Sequence, residues 1–379
     1  MRIGVRVNSR TSGGGAVFAR ELVAALAGHE HSPQVVVFEL GDTSNFGWPT
    51  SVEVIALPGS SRSAIRRRFS SRQARARIAE ADIDALICPG TEVEVNARGT
   101  TVFWPLNVAP FEAAAVAKLG DTTKKKIRWR LLRLAIRAAA QRATVAVYSS
   151  DYAKRLYEQN IPALKVVRST VIRPAVSLRA VKPKKQEGQS DIEPYQLFVS
   201  HLYPYKMVVE MITAFGIAQR RCPELPDLLI AGNPVDQTYY RRIQRTITSL
   251  GLEERVRLLG GVDREGLVAL YAGAEWFVFP SLSENAGSYA LIDAMAYGLP
   301  VLCSSRSSSP EIVGDAAEYF DPARPEELAN AMVRLTLDPE RRAALASAST
   351  ERYAEMPSWE RIAGDLLRFL HNLNVAPRL

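Results

Sequence analysis

A run of polar and small residues stands between an apolar, strand-like segment that ends at Phe279 and a helix-like segment over 291–297. A loop in this position exposes backbone N–H groups, and the helix dipole adds positive potential, so such loops bind phosphate. The carboxylates of Glu284 and Asp293 would accept hydrogen bonds from hydroxyl groups, which a sugar and a ribose supply. The candidates for binding a phosphorylated sugar are Glu284, Asn285, Ala286, Gly287, Ser288 and Asp293. Capping acids at an ordinary helix N-terminus remain the alternative.

Two further polar residues follow the strand-like segment 196–200, namely His201 and Lys206. An ammonium group is a good point charge for a phosphate, and a charged hydrogen bond of this kind is worth about 1.5 to 3 kcal/mol. His201 donates to phosphate only if an imidazole N–H points towards it, and its charge near neutral pH is undecided from sequence. A single lysine after a strand is usually a surface residue, so Lys206 gains meaning only together with the 284–293 segment.

The two segments, FVSHLYPYKMVVEMITAF and PSLSENAGSYALIDAMAYGLPVLCSS, occur in the order that resembles GT-B glycosyltransferases of family 4. In that family two acids separated by seven residues precede an apolar helix and a GxPV strand, whereas eight residues separate Glu284 from Asp293 here. The resemblance implies that Glu284 lies against the donor sugar and that Asp293 holds the nucleotide ribose. It also implies that Lys206 grips the diphosphate, with His201 where the family usually has arginine.

The resemblance also implies that residues from the first half of the chain lie at the donor site. Gly13, Gly14 and Gly15 follow the first strand-like segment and permit close backbone approach to a ligand, although a flexible turn explains them equally well. The segment 102–112 is also similar to a family segment in which many relatives carry a histidine that contacts the donor sugar. This chain has Asn107 as the polar candidate there.

Alternating strand-like and helix-like segments predict an α/β protein with parallel sheets. The predicted strands cover 2–8, 34–40, 51–57, 85–88, 101–104 and 144–149, then 196–200, 227–231, 256–259, 276–279 and 300–303. The predicted helices cover 16–27, 124–142, 208–221, 237–250 and 291–297. With 379 residues, two domains are expected. They cover 1–176 and 195–358, joined by the charged, Pro- and Gly-containing linker 177–194, and the resemblance implies two Rossmann-like domains facing each other across a cleft. A last helix over 359–379 either completes the second domain or crosses back to the first.

Composition limits the class of protein without choosing a ligand. The apolar fraction of 47% and the charged fraction of 23% are those of a folded globular protein, and three cysteines without a CxxC pair disfavour a disulfide framework or structural zinc. The N-terminal segment lacks the apolar stretch of a secretory signal, so we expect a cytoplasmic protein. Asp82 and Asp84 form a DxD pair, but the pair precedes a strand and so lies at the end away from ligands, and no metal or other cofactor is expected.

A net charge of +8 attracts anions, and the helix-like segment from Lys124 to Arg137 combines basic with large apolar side chains. This pattern fits the anionic inner face of the plasma membrane, and an ordinary sheet-packed helix with a solvated basic face remains the alternative. No nucleic-acid-binding module accompanies the charge, so nucleic acid is not expected as a partner.

The resemblance implies a retaining, metal-independent transfer of a hexose, mannose or a similar sugar, from a nucleotide diphosphate sugar such as GDP-mannose. The acceptor would be a glycan or a lipid-linked molecule of cell-surface polysaccharide or glycolipid assembly. Catalysis would depend on Glu284 and Lys206. Two alternatives stay open: a nucleotide-sugar epimerase or a phosphorylase of the same fold, and a non-catalytic subunit that binds membrane or a partner.

Overall fold

The computed structural model describes residues 1–8, 14–31, 33–41, 46–58, 64–90, 94, 99–120, 122–173, 175, 193–285 and 288–375, with the backbone alone described for 64–71 and 374–375. Within this part of the chain, two parallel sheets follow one another along the sequence.

The first sheet has seven parallel strands in the order β3-β2-β1-β4-β5-β6-β7. Its strands are β1 (Arg2–Asn8), β2 (Gln34–Leu40), β3 (Glu53–Leu57), β4 (Ala85–Pro89), β5 (Thr100–Trp104), β6 (Val145–Tyr148) and β7 (Arg168–Val171). The helices of this half are α1 (Gly14–Ala27), α2 (Ala64–Glu80), α3 (Ala113–Leu119), α4 (Thr123–Ala140) and α5 (Asp151–Asn160). Hydrophobic clusters cover both faces of the sheet, which explains why its central strands are almost continuously apolar.

The second sheet has six parallel strands in the order β10-β9-β8-β11-β12-β13. Its strands are β8 (Tyr195–Val199), β9 (Asp227–Ala231), β10 (Val256–Gly260), β11 (Trp276–Phe279), β12 (Val301–Ser304) and β13 (Ala317–Phe320). The helices are α6 (Val208–Arg221), α7 (Gln237–Leu250), α8 (Arg264–Gly273), α9 (Tyr289–Ala296), α10 (Ser309–Val313), α11 (Pro325–Leu337) and α12 (Pro339–Ala354). In both sheets the strand order reverses next to the first strand of the domain, and such reversals open a crevice at the carboxyl ends of the strands.

Local hydrogen bonds and backbone conformation determine both ends of α7. The carboxylate of Asp236 accepts hydrogen bonds from the Thr238 and Tyr239 amides at 2.9 and 3.1 Å, and this cap starts α7. Gly251 ends the same helix with φ of 64°, a left-handed conformation that glycine adopts without steric cost.

The last helix, α13 (Trp359–Val375), packs against the first domain. The Trp359 ring lies 5.7 Å from the ring of Phe18 in α1, and Ile362 and Leu366 belong to the same hydrophobic cluster. The chain therefore returns to the first sheet after it has completed the second. Each half of the chain is thus a Rossmann-like domain, in which helices pack on a parallel sheet.

Candidate active site

A cavity of about 610 Å³ lies at the carboxyl ends of β8, β9 and β11, where the strand order of the second sheet reverses. Its size is that of a small-molecule site. Gly14, the first residue of α1, lines it from the first domain. The other polar or glycine residues on its walls include Ser200, His201, Lys206, Gly232, Asn233, Glu284, Ser288, Tyr289 and Asp293.

Lys206 and Glu284 form a buried ion pair on the wall of this cavity. Lys206 Nζ donates a hydrogen bond to Glu284 Oε1, and each side chain is 10% exposed. Lys206 ends a short 3₁₀ turn, and the next residue, Met207, has φ of 57°. The left-handed turn at Met207 is strained for a residue with a side chain, and it directs the chain from Lys206 into α6. Burial takes both charges out of water, so each charge is stabilised by the other. Either charge alone would be strongly disfavoured in this buried position.

Three buried polar atoms around the same cavity have no hydrogen-bond partner among the residues that the structure describes. They are His201 Nδ1, Tyr289 Oη and Asp293 Oδ1. A buried polar atom that makes no hydrogen bond raises the free energy of the folded state, so native proteins rarely keep such atoms without a function. A bound ligand with hydroxyl or phosphate groups would satisfy all three.

Burial also changes the charges of these groups. It raises the pKa of the Asp293 carboxyl to about 8, with a smaller opposing effect from Arg264. Burial and then the neighbouring Lys206 lower the pKa of His201. At neutral pH Asp293 is therefore mostly protonated and His201 is uncharged, and a ligand could change both states.

The loop before α9 is divided between the cavity and the domain interface. Ser288 is the residue before the first turn of α9, and it lines the cavity. The side chain of Asn285 points elsewhere, because its Nδ2 donates to the Pro105 carbonyl oxygen of the first domain at 2.9 Å. Ala286 and Gly287, which the sequence also predicted at this site, lie outside the described residues.

The residues of the first domain that the sequence predicted at the cleft also do not all line the cavity. Gly14 lines the cavity, the adjacent Gly15 does not, and Gly13 lies outside the described residues. Asn107 does not line it either, because its amide oxygen accepts a hydrogen bond from the Ala109 amide at 3.1 Å. That bond holds the start of a 3₁₀ turn, and the Asn107 side chain is exposed.

Sequence reasoning missed Gly232 and Asn233, which follow β9 and form part of the cavity wall. A Cβ atom at Gly232 would lie 1.7 Å from the Ser200 carbonyl oxygen, and the residue has φ of 156°. Glycine is therefore required for the ends of β8 and β9 to approach each other. The Gly-Asn-Pro sequence after a buried strand was the available signal for a tight turn at a ligand-binding edge.

The DxD pair takes no part in the cavity. Asp84 Oδ2 accepts a hydrogen bond from the Arg2 amide at 2.7 Å, at the amino ends of the strands. Among the residues that the structure describes, no group of three or more His, Cys, Asp or Glu side chains is arranged to hold a metal ion.

Helix α4 presents large apolar side chains to the surface. Ile127, Leu131 and Leu134 are 55%, 60% and 53% exposed. Residues spaced by four and three lie on one face of a helix, so the three form a stripe. The exposed basic residues of the helix are Lys124, Lys126, Arg128, Arg130 and Arg137. Within the described part of the chain, no helix has both the length and the apolar character to cross a membrane.

Comparison with known proteins shows what parts of the chain resemble. Residues 182–352 match the sequence model of the family described as Glycosyl transferases group 1. Over 180 residues the chain is 29% identical to O-antigen chain mannosyltransferase B of Escherichia coli, and the alignment covers 47% of this chain and 46% of that protein. The chain thus spans about half the length of this relative.

A second relative is a GDP-mannose-dependent alpha-(1-6)-phosphatidylinositol monomannoside mannosyltransferase of Mycobacterium tuberculosis. It is 24% identical over 283 residues, with 70% of this chain and 72% of that protein covered.

Solved structures of other proteins superpose on nearly the whole chain. The sucrose-phosphate synthase of Thermosynechococcus elongatus superposes with a TM-score of 0.77 at 19% identity, covering 98% of this chain and 99% of the other. The Anabaena protein Alr3699/HepE in complex with UDP-glucose superposes with a TM-score of 0.71 at 17% identity, covering 98% and 100%. Together these matches show a glycosyltransferase with the GT-B fold, and residues 182–352 are similar to the glycosyl transferases group 1 family.

Proposed function

We propose that the chain transfers a hexose from a nucleotide diphosphate sugar to a glycan or lipid-linked acceptor, with retention of configuration and without a metal ion. The observation that carries this proposal is the set of unpartnered polar atoms on His201, Tyr289 and Asp293, in one cavity with a buried lysine. These groups match a ligand that has an anionic diphosphate between two groups rich in hydroxyls.

We assign each part of the donor a partner on the cavity wall. Lys206 and the N-terminal end of α9 at Ser288 provide positive potential for the diphosphate. Asp293, which lines the cavity, accepts hydrogen bonds from the ribose hydroxyls once it has lost its proton. Glu284 accepts hydrogen bonds from hydroxyls of the transferred sugar. When the donor arrives, its phosphate replaces part of the charge that Glu284 supplies to Lys206.

The reaction breaks the bond between the anomeric carbon and the phosphate oxygen, and the electron pair stays on the departing nucleoside diphosphate. Lys206 stabilises this developing anion, which is electrostatic catalysis. The acceptor oxygen attacks from the same face of the sugar. Its proton passes to the departing phosphate oxygen, so no protein base is needed.

The donor that we propose is GDP-mannose, because relatives are named as mannosyltransferases and one of them as GDP-mannose-dependent. A panel of UDP, GDP, ADP and dTDP sugars, followed by thermal unfolding, tests this choice. A ligand at about 100 times its Kd stabilises the folded state by about 2.7 kcal/mol. Stabilisation by GDP-mannose above the other sugars supports the proposal, and no stabilisation by any nucleotide sugar would overturn it.

The two alternative functions are separated by product analysis with the same donor. An epimerase would convert the donor without an acceptor, and a phosphorylase would consume it with inorganic phosphate alone. A non-catalytic subunit would bind the nucleotide sugar or membrane without turnover. Sugar transfer that requires an added glycan or lipid acceptor supports the proposal against all three.

A lipid-linked acceptor is favoured by the surface of α4. Hydrocarbon side chains at Ile127, Leu131 and Leu134 face outwards on a helix whose exposed charges are basic. A helix of this type binds at the interface of an anionic bilayer, where each basic residue near the surface contributes about 1 kcal/mol. The proposed location is therefore cytoplasmic, with peripheral binding to the inner face of the plasma membrane.

Vesicle sedimentation tests the membrane proposal. Leu131→Glu should lower binding to vesicles with anionic lipid by at least about tenfold, since it places a carboxylate in the apolar stripe. The matched control is Leu337→Glu, because Leu337 is 66% exposed at the end of α11 in the other domain. Equal binding of both variants, or equal binding of the wild type to zwitterionic vesicles, would contradict the membrane role of α4.

A further inference from the structure

The main chain of Glu284 is held by two serines from the segment between β12 and α10. The Glu284 amide donates to Ser307 Oγ at 2.9 Å, and Ser308 Oγ donates to the Glu284 carbonyl oxygen at 2.6 Å. Ser307 itself has φ of 61°, an uncommon conformation for a residue with a side chain. Such a conformation is kept where the surroundings strongly determine it. The position of Glu284 therefore depends on this serine segment as well as on Lys206.

Ser307 also reaches across to the first domain. Its Oγ lies 2.7 Å from both Glu112 Oε1 and the Glu284 carbonyl oxygen. A serine hydroxyl has one hydrogen to donate. Because Ser308 already donates to the Glu284 carbonyl, we assign the Ser307 hydrogen to the carboxyl of Glu112. Glu112 is a buried residue just before α3, so this hydrogen bond joins the two domains.

A second connection runs back from the first domain to the same segment. Tyr152 Oη donates to Glu112 Oε1 at 2.6 Å. The amides of Asp151 and Tyr152, in the first turn of α5, donate to the two carboxylate oxygens of Glu311 at 2.8 and 2.7 Å. A carboxylate at a helix N-terminus is favoured by the free N–H groups and by the dipole. Glu311 belongs to the second domain and follows Ser307 by four residues, so the hydrogen bonds close a ring through both domains.

We infer that Ser307, Glu112 and Glu311 are positioning residues, and that their ring of hydrogen bonds makes the placement of Glu284 depend on the docking of the two domains. The inference rests on the proposed function, in which Glu284 contacts the transferred sugar. When the domains are docked, Ser307 is held between Glu112 and Glu284. When they separate, Ser307 loses Glu112, and the first turn of α5 loses the Glu311 cap. The donor site is therefore complete only when the two domains are docked.

Kinetics of Ser307→Gly test the positioning role. Glycine accepts φ of 61° without strain, so this variant removes the hydroxyl while keeping the backbone path. We expect kcat for sugar transfer to fall at least about tenfold while the donor KM changes less than about twofold, since the diphosphate and ribose contacts remain. The matched control is Ser305→Gly, an exposed serine two residues earlier, which should behave as the wild type. Wild-type kcat for Ser307→Gly would overturn the inference.

A double-mutant cycle shows whether Ser307 acts through the first domain. Glu112→Ala should also lower kcat, and the double variant should lose about as much as one single variant, because both changes break the same connection. If the fold-losses in kcat of the two single variants multiplied in the double variant, the two residues would act separately, and the inference would be wrong.

Hydrogen exchange provides a readout that does not require activity. Glu311→Gln removes the charged cap of α5, and the control is Glu326→Gln, an exposed residue paired with Arg221 away from the ring. We expect faster exchange at the Asp151 and Tyr152 amides and, through the ring, at the Glu284 amide. Faster exchange in α5 with an unchanged Glu284 amide would overturn the coupling. If the wild type transferred no sugar, the proposed function would fail, while this experiment would still decide the coupling.

Discussion

Binding of a nucleotide sugar should release a proton from Asp293. In the free protein burial raises the pKa of this carboxyl to about 8, and its Oδ1 has no partner in the described structure. Ribose hydroxyls would donate to the ionised carboxylate, which favours the charged form and lowers the pKa in the complex. The donor therefore selects the deprotonated state of a group that is mostly protonated at neutral pH.

The size of the effect follows from the raised pKa. At pH 7 about nine-tenths of a group with a pKa near 8 is protonated, so up to about 0.9 proton leaves on binding. Ionising the carboxyl at that pH costs about 1.4 kcal/mol, which binding must supply. The affinity for the nucleotide sugar should therefore be lower at pH values where Asp293 is protonated in the free protein. It should increase about tenfold between pH 7 and pH 9 and level off above the pKa of the free protein.

Isothermal titration calorimetry with a non-hydrolysed nucleotide sugar measures the proton release directly. The observed enthalpy is compared in buffers of different ionisation enthalpy at one pH, and the slope gives the number of protons released. Asp293→Asn keeps the shape of the side chain without an ionisable proton, so its slope should fall to near zero. His201→Gln serves as the control, because a phosphate next to His201 could draw a proton in the opposite direction.

Two results would refute the reasoning. One is a slope for the wild type that equals that of Asp293→Asn, since the carboxyl would then keep its proton in the complex. The other is an affinity that decreases from pH 7 to pH 9 in the His201→Gln variant, where histidine cannot contribute.

Four further predictions concern Lys206, Glu284, the need for a metal ion, and Gly232. Lys206→Ala should lower kcat/KM for the donor by at least about tenfold, equivalent to 1.4 kcal/mol, and unchanged kinetics would remove Lys206 from the site. Glu284→Gln should give a folded protein with little sugar transfer, as judged by circular dichroism and product analysis. A chelator should leave sugar transfer by the wild type intact, whereas a loss of transfer that manganese restores would show that the enzyme requires a metal. Gly232→Ala should lose at least about 2 kcal/mol of unfolding free energy in denaturant titrations, whereas Gly251→Ala, with positive φ but open space for Cβ, should lose only about 1 kcal/mol.

The fold could be predicted from sequence to a large extent, because its signals are local. Apolar, β-branched runs gave the central strands within a residue or two, and helices α6 and α7 begin and end at the predicted residues. The edge strands β7 and β13 were not predicted, since their short, partly exposed sequences lack a continuous apolar run.

The site was predicted less completely, because much of it consists of contacts between distant residues. Lys206, Glu284 and Asp293 each follow a strand of one domain, so the strand-loop-helix pattern placed them at one edge of the sheet. Glu112 and Ser307 are 195 residues apart, and nothing in either local segment shows that they meet. Asn107 was chosen for its polarity, and a local hydrogen bond to Ala109 occupies its amide oxygen.

The two acids line one cavity despite their unusual spacing. Eight residues separate Glu284 from Asp293, and Glu284 lies in the segment after β11 while Asp293 lies within α9. Tyr289 is the first residue of α9. Its ring joins the hydrophobic cluster of the first domain, while its hydroxyl at the cavity has no hydrogen-bond partner among the described residues. A residue that packs against one domain and belongs to the other can respond to their separation. We therefore expect the loop between Glu284 and α9 to act in contact between the domains as well as in donor binding.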